Sequence, residues 1–378
     1  MRHPRQIIAN LDAENDMAAL LSGAPRQALA QRVLATISGL GTLLRVFAND
    51  SDVLRTPIPV DPQRVVDVPG LPRPGLKHGQ CSNRSTTARS AMLAWAETRN
   101  IANARGPRLE TPKTSSLDVP LHELVWQLPA PSSETAARVN HRGFAFELGQ
   151  HLGVNLPNAT LVNDIEALQK ILSQTPESDS SWVLKAPLSA AGRDRFIFST
   201  ATWDQRRAAR LFQRFGPLML EPWVQRTDDF GVVGLIAENA YRVLGVHGQR
   251  VDAAGRFQGI EIPAPGLRDE EHTVFQRVAN ETAAALAAAG YRGLFSIDAF
   301  RYMDNGTERF HPLCEINARI SFGAVARALL ERLGFTGGVL QLGRHEAQDS
   351  VILLAPDDQG IMASLRPMSA PTGPSDGF

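Results

Sequence analysis

The chain has 378 residues, with 39 Lys+Arg balanced by 39 Asp+Glu and 43% hydrophobic residues. That length suits two domains or three subdomains with sizeable cores, and the zero net charge argues against nucleic acid or an anionic membrane as a bulk electrostatic partner. Two cysteines, Cys81 and Cys314, make neither a disulfide framework nor a metal cluster, and neither a signal peptide nor an apolar membrane span stands out, so the expectation is a soluble, cytoplasmic protein.

In chain order, residues 1–138 give the weakest pattern. "QALAQRVLATISGLGTLLRVF" reads as a helix followed by a strand, with Gly39-Leu40-Gly41 as the turn. A dinucleotide fingerprint fails there, because Leu44 stands where a third glycine is needed. The proline-rich stretch 56–75 reads as extended loop or edge structure, and no internal repeat is present. From Val139 a helix carries Phe144, Leu148 and Leu152 on one stripe and closes at Gly153. "SWVLKAPLSAAGRDRFIF" reads as strand, small-residue loop and strand. The next helix has a capping-box spacing at Thr202 and Gln205. "PLMLEPWV" is a strand, and "EEHTVFQRVANETAAALAAAGYRG" is a long helix ending at Gly290. Two further strands flank Asn305-Gly306, a strong type I′ hairpin signal. "GAVARALLERLG" closes the pattern as a helix, and the tail from Pro367 has disordered composition. Antiparallel sheets with helices packed on them make an α+β class.

Three stretches carry chemistry. In "CEINARISFG", Glu315, Asn317, Arg319 and Ser321 alternate with apolar residues and would form one row on a strand. Counting from the Asn305-Gly306 turn sets Asp298 opposite Leu313, with Glu315 diagonal to Asp298 on the same face, about 7–8 Å away. A bulge near Pro312 would change that register. Asp298, Glu315 and Asn317 are hard oxygen ligands, which suit Mg²⁺ or Mn²⁺ and disfavour zinc. A solvated polar face is the alternative, but Asp298 sits in an apolar run where a carboxylate is costly unless a cation meets it. In the second stretch Lys185 ends a strand before Ser189, Ala190, Ala191 and Gly192, whose small side chains let backbone N–H groups approach an anion; a plain hairpin loop reads the same way. In the third, an apolar strand runs into Glu221, Pro222, Trp223 and Val224, followed by Asp228 and Asp229. Such a hinge offers backbone groups to a flat heterocycle, and equally reads as a proline-ended edge strand.

Taken in this order, "VNHRGFAFELGQHLGVNLP", "VLKAPLSAAGR", "LEPWV", "SIDAF" and "EINARISFG" resemble the ATP-grasp superfamily over about half of the chain. The resemblance implies an ATP-grasp fold of two α+β lobes clasping ATP, preceded by a smaller N-terminal α/β domain. The boundaries would be 1–138 for that domain and 139–340 for the ATP-grasp domain, with a lid lobe at about 160–225 and a metal-binding lobe at about 226–340. A strand and tail would occupy 341–378. It also implies an ADP-forming carboxylate–amine ligase that uses ATP and Mg²⁺ (or Mn²⁺) on small-molecule substrates, with a homodimer as one assembly it accommodates. A small-molecule kinase and a non-catalytic nucleotide-binding protein are the rival readings. By the same resemblance Lys185 and the Ser189–Gly192 loop would meet the phosphates, with Arg142 where many members have a phosphate-contacting Lys. Glu221, Trp223 and Val224 would hold the adenine, and Asp228 or Asp229 the ribose. Asp298, Glu315 and Asn317 would hold the metal, and Arg319 would face the transferred phosphate or a substrate carboxylate. Phosphoryl transfer needs positioning and charge neutralisation more than covalent groups, which accounts for these residue types.

Overall fold

The structure is a computed structural model, and it describes residues 4–23, 25–79, 91–105, 117–174, 181–189, 194–199, 202–252 and 255–368. The loop residues Ala190, Ala191 and Gly192, together with Cys81, lie outside the described residues. Among the described residues the strands form three sheets, of four, four and eight strands.

The N-terminal sheet joins β1 (Gln6–Ile8), β2 (Val53–Thr56), β3 (Gly75–His78) and β4 (Met92–Ala94) in the order β3-β2-β1-β4, with every pair parallel. Parallel strands need crossovers, and helices α1 (Ala13–Ser22) and α2 (Gln31–Gly41) supply them between β1 and β2. The expected turn at Gly39-Leu40-Gly41 is not there: α2 runs through it, and a 3₁₀ segment, Thr42–Phe47, replaces the expected strand. Gly41 is needed for close approach, since a Cβ at that position would lie 2.6 Å from the Ala9 Cβ. Short helices α3 (Arg99–Arg105) and α4 (Leu121–Leu124) lead to α5 (Ser133–Asn140) and α6 (Arg142–Leu152). The single helix expected from Val139 is therefore broken at His141, whose backbone is extended and whose Nδ1 accepts from the Gly143 N–H at 3.0 Å. Its apolar stripe holds: Phe144, Leu148 and Leu152 pack on the core, and Gly153 closes the helix in the left-handed region.

The second four-stranded sheet contains β5 (Thr160–Val162), β6 (Trp182–Lys185), β7 (Arg195–Phe198) and β8 (Leu218–Pro222) in the order β5-β8-β6-β7, all antiparallel. Helices α7 (Ile165–Gln174) and α8 (Gln205–Phe215) bury apolar side chains against it. The cap of α8 is Asp204, which accepts from the Arg207 N–H, and not Thr202, whose Oγ1 instead accepts from the Ser199 N–H.

The largest sheet orders β13-β12-β9-β10-β11-β14-β16-β15. Its members are β9 (Gln225–Ile236), β10 (Tyr241–Val251), β11 (Phe257–Ile262), β12 (Gly293–Asp304), β13 (Thr307–Asn317), β14 (Gly338–Gly343), β15 (Val351–Leu354) and β16 (Met362–Pro367). Helix α9 (Asp269–Ala288) covers one face, packing Phe275 and Val278 against Phe230, Val232, Phe295 and Ile297. Helix α10 (Phe322–Leu333) lies in the other core, with Val233, Leu235 and Leu294. Strand β12 is thus buried on both sides, which explains its near-continuous apolar run. Side-chain alternation then puts Asp298 on the face opposite α9.

Candidate active site

The Asn305-Gly306 turn forms as expected, with φ of 48° and 79°. Pairing runs regularly from Asp304↔Thr307 to Phe300↔His311 and then shifts. Beyond that bulge Asp298 pairs with Glu315 and Ser296 with Asn317. The register expected by turn counting is therefore overturned: Glu315, and not Leu313, stands opposite Asp298. The side-chain face survives, because a shift of two residues preserves parity. The row of four is also shortened. Strand β13 ends at Asn317, and Ser321 leaves the face to cap α10 by accepting from the Ala324 N–H.

Asp298 is bonded at both oxygens. Gln249 Nε2 donates to Oδ1 at 2.7 Å and Asn317 Nδ2 donates to Oδ2 at 3.0 Å. Burial, reinforced by the charge of Glu315, pushes its pKa up to about 6. Arg142 Nη2 donates to Glu315 Oε2 at 3.1 Å, while its Nη1 donates to the Ala186 carbonyl at 2.6 Å and to Ser189 Oγ at 3.2 Å. One buried guanidinium thus ties the large sheet to the start of the β6–β7 loop. Burial opposes its charge, but Glu315, Cys314 and Glu221 outweigh that and hold its pKa above the ordinary value.

Lys185 at the end of β6 is ion-paired with Glu221 on β8. Burial pushes the Glu221 carboxyl up, yet Lys185, helped by His311 and Arg142, holds it below its usual range. The resemblance assigned Glu221 and Trp223 to adenine through backbone groups. The Trp223 N–H already donates to the Ser181 carbonyl, and the half-exposed Trp223 ring has the Arg195 guanidinium 5.4 Å above it. Val224 packs with Leu156, Phe300 and Tyr302. Asp228 and Asp229 separate onto opposite faces: Asp228 joins the buried Arg301 at 2.7 Å, and Asp229, on the Asp298 face, pairs with Arg226 at 2.9 Å. Of these two, only Asp229 shares the candidate site's face.

Arg319, expected to face the transferred phosphate or a substrate carboxylate, is held by groups of the protein itself. Its Nη2 donates to Asn317 Oδ1 at 2.7 Å, its Nε lies 2.9 Å from Glu14 Oε1, and its guanidinium lies 5.4 Å from the Trp95 ring. It links the Asn317 carboxamide to Glu14 on α1. Sequence reasoning missed Gln249, Arg226 and Glu14. Gln249 sits in an alternating strand like any surface glutamine, so only its pairing across β9 could single it out.

A metal held here would meet two carboxylates and a carboxamide, since among the described residues no cluster of three or more His, Cys, Asp or Glu side chains converges. The oxygen-only set fits a hard divalent cation. Burial first, and then the facing Glu315 carboxylate, hold the Asp298 pKa up, a setting in which a nearby cation would be favourable.

No protein-family model matches the chain, and no curated protein matches its sequence. Solved structures match it over nearly its full length. An N5-carboxyaminoimidazole ribonucleotide synthetase in complex with ADP aligns at 14% identity and a TM-score of 0.55, covering 97% of this chain and 92% of that one. An N5-carboxyaminoimidazole synthetase from Staphylococcus aureus complexed with ADP gives 12% and 0.54, covering 98% and 95%. A carboxyaminoimidazole ribonucleotide synthase from Aspergillus clavatus complexed with ATP gives 12% and 0.53, covering 97% and 94%. Similarity at this identity establishes the architecture: the chain has the ATP-grasp fold, with a smaller parallel-sheet unit at its N-terminus.

Proposed function

We propose that the protein is an ATP- and Mg²⁺-dependent ligase that activates a small carboxylate as an acyl phosphate for attack by an amine, releasing ADP and phosphate. The observation that carries this reading is the facing Asp298–Glu315 pair, joined by Arg142 to the backbone at the root of the β6–β7 loop. Oxygen donors on β12 and β13 thus stand beside Arg142 and the end of β6 that carries Lys185, which supports the reading.

Asp298, Glu315 and Asn317 would hold the metal, which when bound neutralises charge on phosphate oxygens. Lys185 and Arg142 supply the remaining positive charge, and Glu221 and Glu315 fix their positions before nucleotide arrives. Asp229 would accept from ribose hydroxyls, and Trp223 would pack beside the base. Arg319 orients Asn317 through its carboxamide oxygen. None of these groups acts as a nucleophile, which suits a reaction driven by positioning and electrostatics. Similar architectures bound to ADP or ATP support the nucleotide assignment by analogy of fold.

The test is calorimetric titration of ATP with Mg²⁺ and with EDTA, followed by ADP release with candidate acid–amine pairs. Mg²⁺-dependent binding, with ADP appearing only when both co-substrates are present, is the expected result. ADP formation with a lone alcohol would indicate a kinase, and nucleotide binding without turnover on any mixture would leave a binding protein.

A further inference from the structure

Strands β9 and β10 pair from Ile236↔Tyr241 down to Asp229↔Gln249, and there the ladder ends. Below that point β9 continues along β12 through Asp228, Arg226 and Gln225, while β10 continues along β11 through Arg250 and Val251. The sheet forks. A cavity of about 370 Å³ occupies the fork, roofed by Pro265 and walled by Asp228, Arg250, Glu261, Gln258 and Gln341. That volume lies within the range of small-molecule sites.

Continuing the β9–β10 register would set Asp228 directly opposite Arg250. Opposite charges facing across a ladder ordinarily pair with each other. Here each turns to another partner: Asp228 to Arg301 at 2.7 Å, and Arg250 Nε to Glu261 at 3.0 Å. The slot between them keeps a carboxylate on one wall and a guanidinium on the other, both side chains close to half exposed. A bulge in the β10–β11 pairing skips Gln258, and Gln341 lies on neighbouring β14 opposite Gly259. Both add carboxamides, which donate and accept. Glycine at 248 keeps the wall low, since a Cβ there would lie 2.7 Å from Pro265.

We propose that this fork is a binding site for a small zwitterion of the α-amino acid class, its carboxylate toward Arg250 and its ammonium toward Asp228. A guanidinium fork matches a carboxylate bidentately, and the acidic wall excludes simple carboxylates that lack an ammonium. The proposal deepens the ligase reading, because an amino acid supplies both the carboxylate and the amine that such a reaction consumes. Gln249 lines the cavity and donates to Asp298, while Asp228 and Arg250 lie on the opposite face of the sheet from Asp298.

The experiment is calorimetry on the full chain with L-alanine, L-serine, L-glutamate and L-lysine, with acetate and ethylamine as single-charge probes. An amino acid should bind at least tenfold more tightly than either single-charge probe. Arg250→Gln should weaken that binding at least tenfold, and Gln341→Leu severalfold, while both variants bind ATP–Mg²⁺ like wild type. Failure of all four amino acids in a sample that binds ATP–Mg²⁺ overturns the fork site and leaves the ligase reading standing. Binding that neither substitution alters also overturns it. Amino-acid binding in a protein that does not bind nucleotide would retain the site and remove the ligase reading.

Discussion

Asp298 and Glu315 face each other in register across the β12–β13 hairpin, brought there by a bulge between Phe300 and Asp298. Two carboxylates on directly paired positions repel; Arg142 is ion-paired with Glu315, and the Arg319 charge acts on Asp298. The pair is stable only with positive charge at hand, which makes it the most informative place to perturb.

Glu315→Gln keeps the shape and a partner for Arg142 while removing the charge. It should lower turnover more than about 100-fold, an effect of the size seen for lost transition-state electrostatics, and should abolish the Mg²⁺ dependence of ATP binding. Glu315→Ala is a poorer probe, because it strands a buried guanidinium, a defect that costs about 3–5 kcal/mol. Wild-type Mg²⁺ dependence in the Gln variant, measured by calorimetry, would remove the metal assignment.

Lys185→Met should raise the Kd for ATP about tenfold or more and also destabilise the fold by removing the ion-pair partner of the mostly buried Glu221. The double variant Lys185→Met, Glu221→Gln should regain stability without regaining affinity. Urea midpoints and ATP titrations on the same three proteins separate the two effects; recovery of affinity in the double variant would contradict a phosphate role for Lys185.

Arg301 is buried, donates through Nε and Nη2 to both oxygens of Glu271, and reaches Asp228 and the Gly266 carbonyl. It anchors the 263–268 loop over the sheet. Arg301→Leu should cost about 3–5 kcal/mol, since it removes the bidentate partner of buried Glu271 and leaves it only Arg268. An unchanged thermal midpoint would show that this network contributes little.

His247 is buried under α10, and burial, with the Arg327 charge, pushes its pKa down to about 3. The unfolded chain takes up a proton near the ordinary pKa of about 6.5, whereas the folded one refuses it until about 3. Its contribution is therefore intact above pH 6.5 and is lost as pH falls, at up to about 1.4 kcal/mol per pH unit. His311, pushed down to about 4 by burial, acts in the same direction. His247→Gln should flatten this acid limb by one proton, read from denaturation midpoints between pH 7.5 and 5; an unaltered slope would mean that His247 is protonated when folded.

Local sequence determined much of this protein. Alternation and the Asn-Gly turn fixed the β12–β13 hairpin, because a type I′ turn has few other sequences. A 3.6-residue stripe marked α6, and small residues after Lys185 marked a strand–loop–strand unit. Which side chains share the face of β12 followed from parity, which a two-residue bulge leaves untouched. Only the tertiary structure decided their partners. The bulge placed Glu315 opposite Asp298, contact with α1 paired Arg319 with Glu14, and strand pairing put Asp228 and Asp229 on opposite faces. Gln249 became visible for the same reason: it lies 49 residues from Asp298 in sequence. Contacts at that separation depend on how sheets stack and where strands part, and no local pattern of residues encodes either.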